Sequence, residues 1–267
     1  MPINAGELWP GDPARQVRWE QIMAWLAPNA GESVLDIGCG GGEAVAFVAE
    51  RVGPSGHAIG LERSAASVAK LCARYPVIEL PALSFQSGEA EALPFADESF
   101  AAVLCVNVLE AILDRPRALA EMLRVLKPDG RILLAHDDYE SQAYAGADRD
   151  LTRRAVSAYA NSTFKSYPTS DGQMGRQLWS LFASAGFLEP EVRVLPLVNT
   201  KYREPFFGWV HAQFTADFVA TVSDLTQAEI DRWHRELAAA SQRGTYFYCV
   251  NLYVCLGRKP HQVNSWS

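Results

Sequence analysis

The chain has 267 residues, 49% of them hydrophobic, and a net charge of -7. That length buries one large core, or a core with an elaborated cap. The lysines and arginines are scattered without a run or stripe, which argues against phosphate-neutralising nucleic-acid binding. Cys39, Cys72, Cys105, Cys249 and Cys255 are odd in number and irregular in spacing, with no CxxC pair. Neither a disulfide framework nor a metal site is expected. The opening "MPINAGELWPGDPARQ" lacks a basic region followed by an apolar run. No stretch approaches the roughly 20 apolar residues of a membrane span. The expectation is a cytoplasmic protein, monomer or homodimer, with neither membrane nor nucleic acid as a partner.

Residues 14–27 predict a helix with Val17, Ile22, Trp25 and Leu26 near one face. Residues 33–38 predict a short buried strand that runs into a glycine turn. A helix over 43–52 follows, with Val45, Val48, Ala49 and Val52 at helical spacing. A second strand (57–62), a second helix (66–75) and a third strand (83–90) come next. The fourth strand (100–109) is almost wholly apolar and is expected to be buried on both faces. Pro116 near the first turn opens a helix over 115–130, and a fifth strand spans 131–138.

This alternation of strand and helix is the pattern of a parallel, doubly wound sheet. Ligands of such sheets bind outside the carboxyl ends of the strands. Beyond it lie a polar and aromatic stretch (139–176), a helix (175–187), a strand (190–197), one or two helices within 205–241, and a long strand (245–259). The last two strands are expected to pair antiparallel at the sheet edge. The expected architecture is α/β, a doubly wound, mostly parallel seven-stranded sheet in a single domain. Its core spans about 30–138, with helical cap insertions at about 139–175 and 198–244.

"VLDIGCGGGE" (34–43) raises the chemical question. A dinucleotide turn, G-x-G-x-x-G, is met by Gly38 and Gly40 but fails at Glu43, and no P-loop lysine follows. A pyrophosphate between Asp36 and Glu43 would face like charges at close range. A nucleoside with cationic groups and no phosphate fits better, and S-adenosyl-L-methionine is such a ligand. Gly38, Gly40, Gly41 and Gly42 let the backbone approach closely. Asp36 sits beside the path of the amino group. Glu43 either joins the site or only favours the helix N-terminus.

"VLDIGCGGG" resembles motif I of the class I S-adenosylmethionine-dependent methyltransferases. The resemblance continues through "LPFADESFAAVLCVNVLEAILD" (93–114) and "EMLRVLKPDGRILL" (121–134), and covers about residues 20–138. It is to the ubiquinone/menaquinone-biosynthesis-type branch, whose members mostly methylate small molecules. It implies a Rossmann-like methyltransferase fold and S-adenosyl-L-methionine as cofactor. It further implies that Glu62 accepts the ribose hydroxyls, Arg63 lines the adenine face, Glu89 takes the adenine amino group and the Ala90 N–H reaches the ring. Val106 and Asn107 would then contact the cofactor near its methyl group; Asn107 reads equally as a strand-end cap. Many members carry His after the Glu of this segment, where this chain has Ala111.

"HDDY" (136–139) is the most polar strand end in the chain. Either one or two of His136, Asp137, Asp138 and Tyr139 touch the acceptor, the carboxylates attracting a cation, or Asp137 and Asp138 cap a turn and His136 is a partly buried strand residue. Tyr144, Tyr159, Phe164, Tyr167, Phe207, Trp209 and Phe214 offer an aromatic wall. His211 is a candidate base and Arg176 a candidate holder of an acidic group. The expected function is methyl transfer to a nitrogen or oxygen of a small molecule. A cofactor-binding protein that transfers no methyl is the alternative; an NAD-dependent dehydrogenase is disfavoured by the missing third glycine.

Overall fold

The computed structural model describes residues 11–76, 80–162 and 171–261; Phe164 and Tyr167 lie outside them. Helix α1 (Pro13–Leu26) starts where the Asp12 side chain accepts the Ala14 N–H at 3.1 Å and Pro13 presets the first turn. The parallel half then runs β1 (Ser33–Ile37), α2 (Glu43–Val52), β2 (His57–Glu62), α3 (Ala65–Arg74), β3 (Leu83–Ser87), β4 (Phe100–Val106), α4 (Arg115–Val125) and β5 (Leu126–Ala145). The remainder is α5 (Arg149–Ala160), α6 (Met174–Ser184), β6 (Leu188–Asn199), α7 (Phe207–Val222), α8 (Gln227–Gln242) and β7 (Phe247–Arg258).

The seven strands form one sheet in the order β3-β2-β1-β4-β5-β7-β6. The first five are parallel, and β7 lies antiparallel between β5 and β6. Both the doubly wound sheet and its antiparallel edge follow the sequence expectation. Successive side chains of a strand face opposite sides. Accordingly Leu133 joins Ile22, Phe47 and Val48 under α1 and α2, while Leu134 joins Leu119, Met122 and Phe182 under α4 and α6. A third cluster, with Tyr159, Leu197, Trp233, Leu237 and Tyr248, ties α5, α7 and α8 to the far end of β7. Among the described residues no helix is long and apolar enough to cross a membrane.

Several boundaries differ from expectation for local reasons. Helix α4 stops at Val125, not near 130, because Leu126 turns extended and Asp129 takes φ +60 with its N–H on the Lys259 carbonyl. Strand β3 stops at Ser87, where the Gly88 N–H crosses to the Glu62 carbonyl. Strand β4 stops at Val106, because Asn107 adopts φ +57. Strand β5 runs past 138, since β7 keeps pairing with it as far as Ala145↔Phe247, so residues 139–145 belong to the sheet. In α1, Ile22 and Leu26 are buried as expected, but Val17 is 64% exposed and Arg18 occupies the inner face.

Candidate active site

The order β1-β4 at the centre of the sheet is the topological switch point, and ligands of such sheets bind there, outside the carboxyl ends of the strands. The glycine turn between β1 and α2 lies at this edge. Gly38, Gly40 and Gly42 have φ of +69, +54 and +81, a region that costs side-chain-bearing residues energy. A Cβ on Gly38 would also collide with Val108, whereas one on Gly40 would meet nothing within 4 Å. Gly38 is therefore needed for packing and conformation, and Gly40 for conformation at an open surface.

The turn is held from β2. The Gly38 and Cys39 amides donate to the Leu61 carbonyl at 2.8 and 3.1 Å, and the Gly40 amide donates to Glu62 Oε1 at 3.1 Å. Glu43 pairs with Arg74 at 2.7 Å, and Arg74 also donates to the Gly41 carbonyl. That ion pair ties the glycine turn and the first turn of α2 to the end of α3. Asp36, at the end of β1, is 4% exposed. Burial, reinforced by the charge of Glu62, pushes its carboxyl up to about 8. A carboxyl so placed is ready to ionise when a cation arrives.

The other expected cofactor residues follow the same edge. Arg63 is exposed just after β2. Glu89 is exposed and Ala90 buried in the loop after β3, which the Ala92 N–H closes on the Glu89 carbonyl at 3.2 Å. Val106 and Asn107 end β4. The Asn107 amide donates to Asp137 Oδ2 at 3.0 Å, and the Asp137 N–H donates back to Asn107 Oδ1 at 2.8 Å. Asn107 thus ties the end of β4 to β5 just past their last pair, Val106↔Ala135.

The polar end of β5 departs from expectation. Asp137 is 1% exposed and pairs with Arg18 of α1 at 2.7 Å. Arg18 also donates to the carbonyls of Val250 and Leu195 at 3.1 and 3.4 Å. Asp138 is fully buried and held by both Nε and Nη2 of Arg176, at 2.6 and 2.8 Å. Neither carboxylate is open to attract a cationic substrate, and Arg176 is occupied by Asp138 and Glu140 instead of holding a ligand's acidic group. Asp137 is placed to orient Asn107.

His136, fully buried where partial burial was the alternative, lies with Nδ1 2.8 Å from the Asp137 carbonyl, to which it donates. Tyr139 packs against His211 and Tyr159 with ring centroids 4.8 and 5.4 Å apart. Tyr159 and Phe207 complete the enclosure of His211 at 5.1 and 5.3 Å. Burial pushes His211 down to about 4 and Tyr139 well up, so both are uncharged at neutral pH. Tyr144 is spent in the cap core against Trp233 and Tyr248, and Phe214 is 60% exposed. An open cleft of about 890 Å³ lies between the end of β5 and α5, lined by Glu140, Tyr144, Arg149 and Thr152 and not by His136, Tyr139 or His211.

Sequence reasoning missed three residues here. Arg18 falls four residues before Ile22 on the inner face of α1, a lone arginine in an apolar stripe, and its partner is 119 residues away. Arg15, one turn earlier, is partly buried and loses basicity through that burial, against the pull of Asp12, Glu43 and Asp137. Glu110, just after β4, sits with Oε1 3.8 Å from His136 Nε2.

The chain matches the family profile described as a methyltransferase domain over residues 35–134. It is 30% identical over 249 residues to an uncharacterized 37.1 kDa protein in transposon TN4556 of Streptomyces fradiae, covering 92% of this chain and 68% of that one. It is 34% identical over 180 residues to the 2-phytyl-1,4-naphtoquinone methyltransferase of Synechococcus elongatus, covering 63% of this chain and 77% of that one. It spans half or less of the length of some other curated relatives. The fold resembles the YcgJ protein from Bacillus subtilis, with a TM-score of 0.59 and 21% identity over 91% of this chain and 98% of that one. With the glycine turn, Asp36 and Glu62 in place at the switch point of the sheet, the chain belongs to the class I S-adenosyl-L-methionine-dependent methyltransferases of small-molecule type.

Proposed function

We propose that this chain transfers a methyl group from S-adenosyl-L-methionine to an oxygen or nitrogen of a small molecule. Residues of about 30–138 hold the cofactor, and the segments that follow β5 and β6, about 146–175 and 200–244, cover the acceptor. The observation that carries the reading is Asp36: a buried carboxyl with a raised pKa, one turn from a glycine loop whose amide is tied to Glu62. Such a site favours positive charge and disfavours phosphate.

In this reading Asp36 pairs with the ammonium of the cofactor's amino-acid arm. Gly38, Gly40 and Gly42 give that arm room, and Arg15 offers its carboxylate a positive charge from α1. Glu62 spends one oxygen on the Gly40 amide and offers the other to the ribose. Arg63, Glu89 and the Ala90 N–H flank the adenine. The cofactor supplies the electrophilic methyl group on its sulfonium; the protein's task is to hold the acceptor at attack distance. Val106 and Asn107, fixed by Asp137, border the methyl group, while Tyr139 and His211 present uncharged polar groups to the acceptor and His136 faces Glu110.

Isothermal titration with S-adenosylhomocysteine and with NAD tests the cofactor, and labelled methyl transfer to a panel of hydroxyl and amine compounds tests the reaction. The Synechococcus relative is named for a naphthoquinone, so the panel includes a naphthoquinol and the product is read by NMR. The reading expects S-adenosylhomocysteine to bind and an O- or N-methyl signal to form. NAD binding without S-adenosylhomocysteine overturns the cofactor assignment, and a C-methyl product overturns the target atom.

A further inference from the structure

The acceptor end of the crevice holds a carboxyl that the sequence expectations left without a role. Glu110 lies in the short 3-10 turn Leu109–Ala111 that follows β4, and its side chain is 18% exposed. Its Oε1 is 3.8 Å from Nε2 of His136, at the adjacent end of β5. His136 is fully buried, and its Nδ1 donates to the Asp137 carbonyl at 2.8 Å. That bond fixes the ring proton on Nδ1 and leaves Nε2 as a lone-pair acceptor, with no hydrogen-bond partner of its own. Burial lowers the basicity of His136, so the ring stays neutral.

Among the described residues, the charged and titratable groups around Glu110 include Asp137, Asp171 and Arg115, with His136, Tyr139 and Tyr159 nearby. Burial first, then the charges of Asp137 and Asp171 against that of Arg115, push the Glu110 carboxyl up to about 7. A carboxyl in that range exchanges a proton at neutral pH, as a general base must. Asp137 and Asp138 are committed to Arg18 and Arg176 and are not placed for this task.

We propose that Glu110 takes the acceptor's hydroxyl proton during methyl transfer, and that the acceptor is an uncharged hydroxyl compound. The proposal rests on the methyltransferase reading above. As the O–C bond forms, the C–S bond breaks and its electron pair stays on sulfur as a neutral thioether. The hydroxyl proton passes to the Glu110 carboxylate and leaves to solvent after product release. His136 is the positioning residue: its Nε2 accepts the hydrogen bond of protonated Glu110 once the complex closes the gap between them. A neutral amine would need no such base.

Two measurements on the whole chain decide the matter. In the first, ¹³C-carboxyl glutamate NMR of the wild type, with E110Q to assign the signal, follows Glu110 through pH. The expected midpoint is near 7, and it moves in the His136→Asn variant. A midpoint in the ordinary carboxylate range, about 4, overturns the proposal. In the second, methyl transfer is measured on a panel of phenols and amines. E110Q should lower kcat on phenols by about 10²–10⁴-fold and abolish the rise in rate through neutral pH, with S-adenosylhomocysteine affinity unchanged. Unchanged kcat, or transfer to amines and not to phenols, overturns it. If no compound is methylated, the methyltransferase reading fails, while the carboxyl titration still decides for or against Glu110.

Discussion

Replacing Arg18 with methionine should destabilise this protein far more than the loss of an exposed ion pair. The side chains of Arg18 and Asp137 are 7% and 2% exposed and meet at 2.7 Å. Arg18 also satisfies the Val250 carbonyl at 3.1 Å. Methionine preserves most of the apolar stem but leaves the Asp137 carboxylate buried, with the Asn107 amide as a donor and Arg15 near it but no directly paired cation. Removing one partner of a buried pair costs about 3–5 kcal/mol. Urea unfolding of Arg18→Met, Asp137→Asn and the double variant measures this directly. The expected result is a single-variant loss in that range, with a double-variant loss smaller than the sum by about 2 kcal/mol or more. A loss of about 1 kcal/mol or less for Arg18→Met, the size of an exposed pair, or full additivity, would refute the reasoning.

Asp36→Asn should stabilise the ligand-free protein. The folded carboxyl titrates near 8, above its unfolded value of about 3.8, so the stability it contributes is complete in acid and is lost as pH rises toward 8. At pH 7 the variant is expected to gain on the order of 4 kcal/mol, with the gain vanishing near pH 4; denaturation at both pH values checks the sign. Glu62→Ala should weaken S-adenosylhomocysteine binding by about 1–3 kcal/mol, since it removes an acceptor and frees the Gly40 amide; calorimetry reads the change. Gly38→Ala should cost about 1–3 kcal/mol of stability through positive φ and the clash with Val108, seen as a lower unfolding midpoint.

What was legible in the sequence is what local pattern encodes. Apolar strands alternating with helices set the parallel order, and "DIGCGGG" marked the turn at its centre. The ion pairs were not legible, because their partners come from distant segments. Asp137 reads as an open strand-end acid until Arg18 arrives from α1, and Asp138 does so until Arg176 arrives from α6. The length of β5 was hidden for a similar reason: its extension past Asp138 exists because β7 pairs with it. Val17 and Arg18 exchanged places because a buried carboxylate outweighs one valine's preference for the interior. Glu110 carried no sequence signal beyond its place after β4, and its significance comes from the burial and neighbours that the fold supplies.

Proton release on ligand binding tests the central claim most directly. At about pH 6.5 the buried Asp36 carboxyl is neutral, and the ligand's ammonium group, which S-adenosylhomocysteine also carries, should ionise it. Titration calorimetry of S-adenosylhomocysteine in two buffers of different ionisation enthalpy should show about one proton released per ligand by the wild type and none by Asp36→Asn. A wild-type binding heat that does not depend on the buffer, or no heat with S-adenosylhomocysteine beside a clear one with NAD, would contradict it.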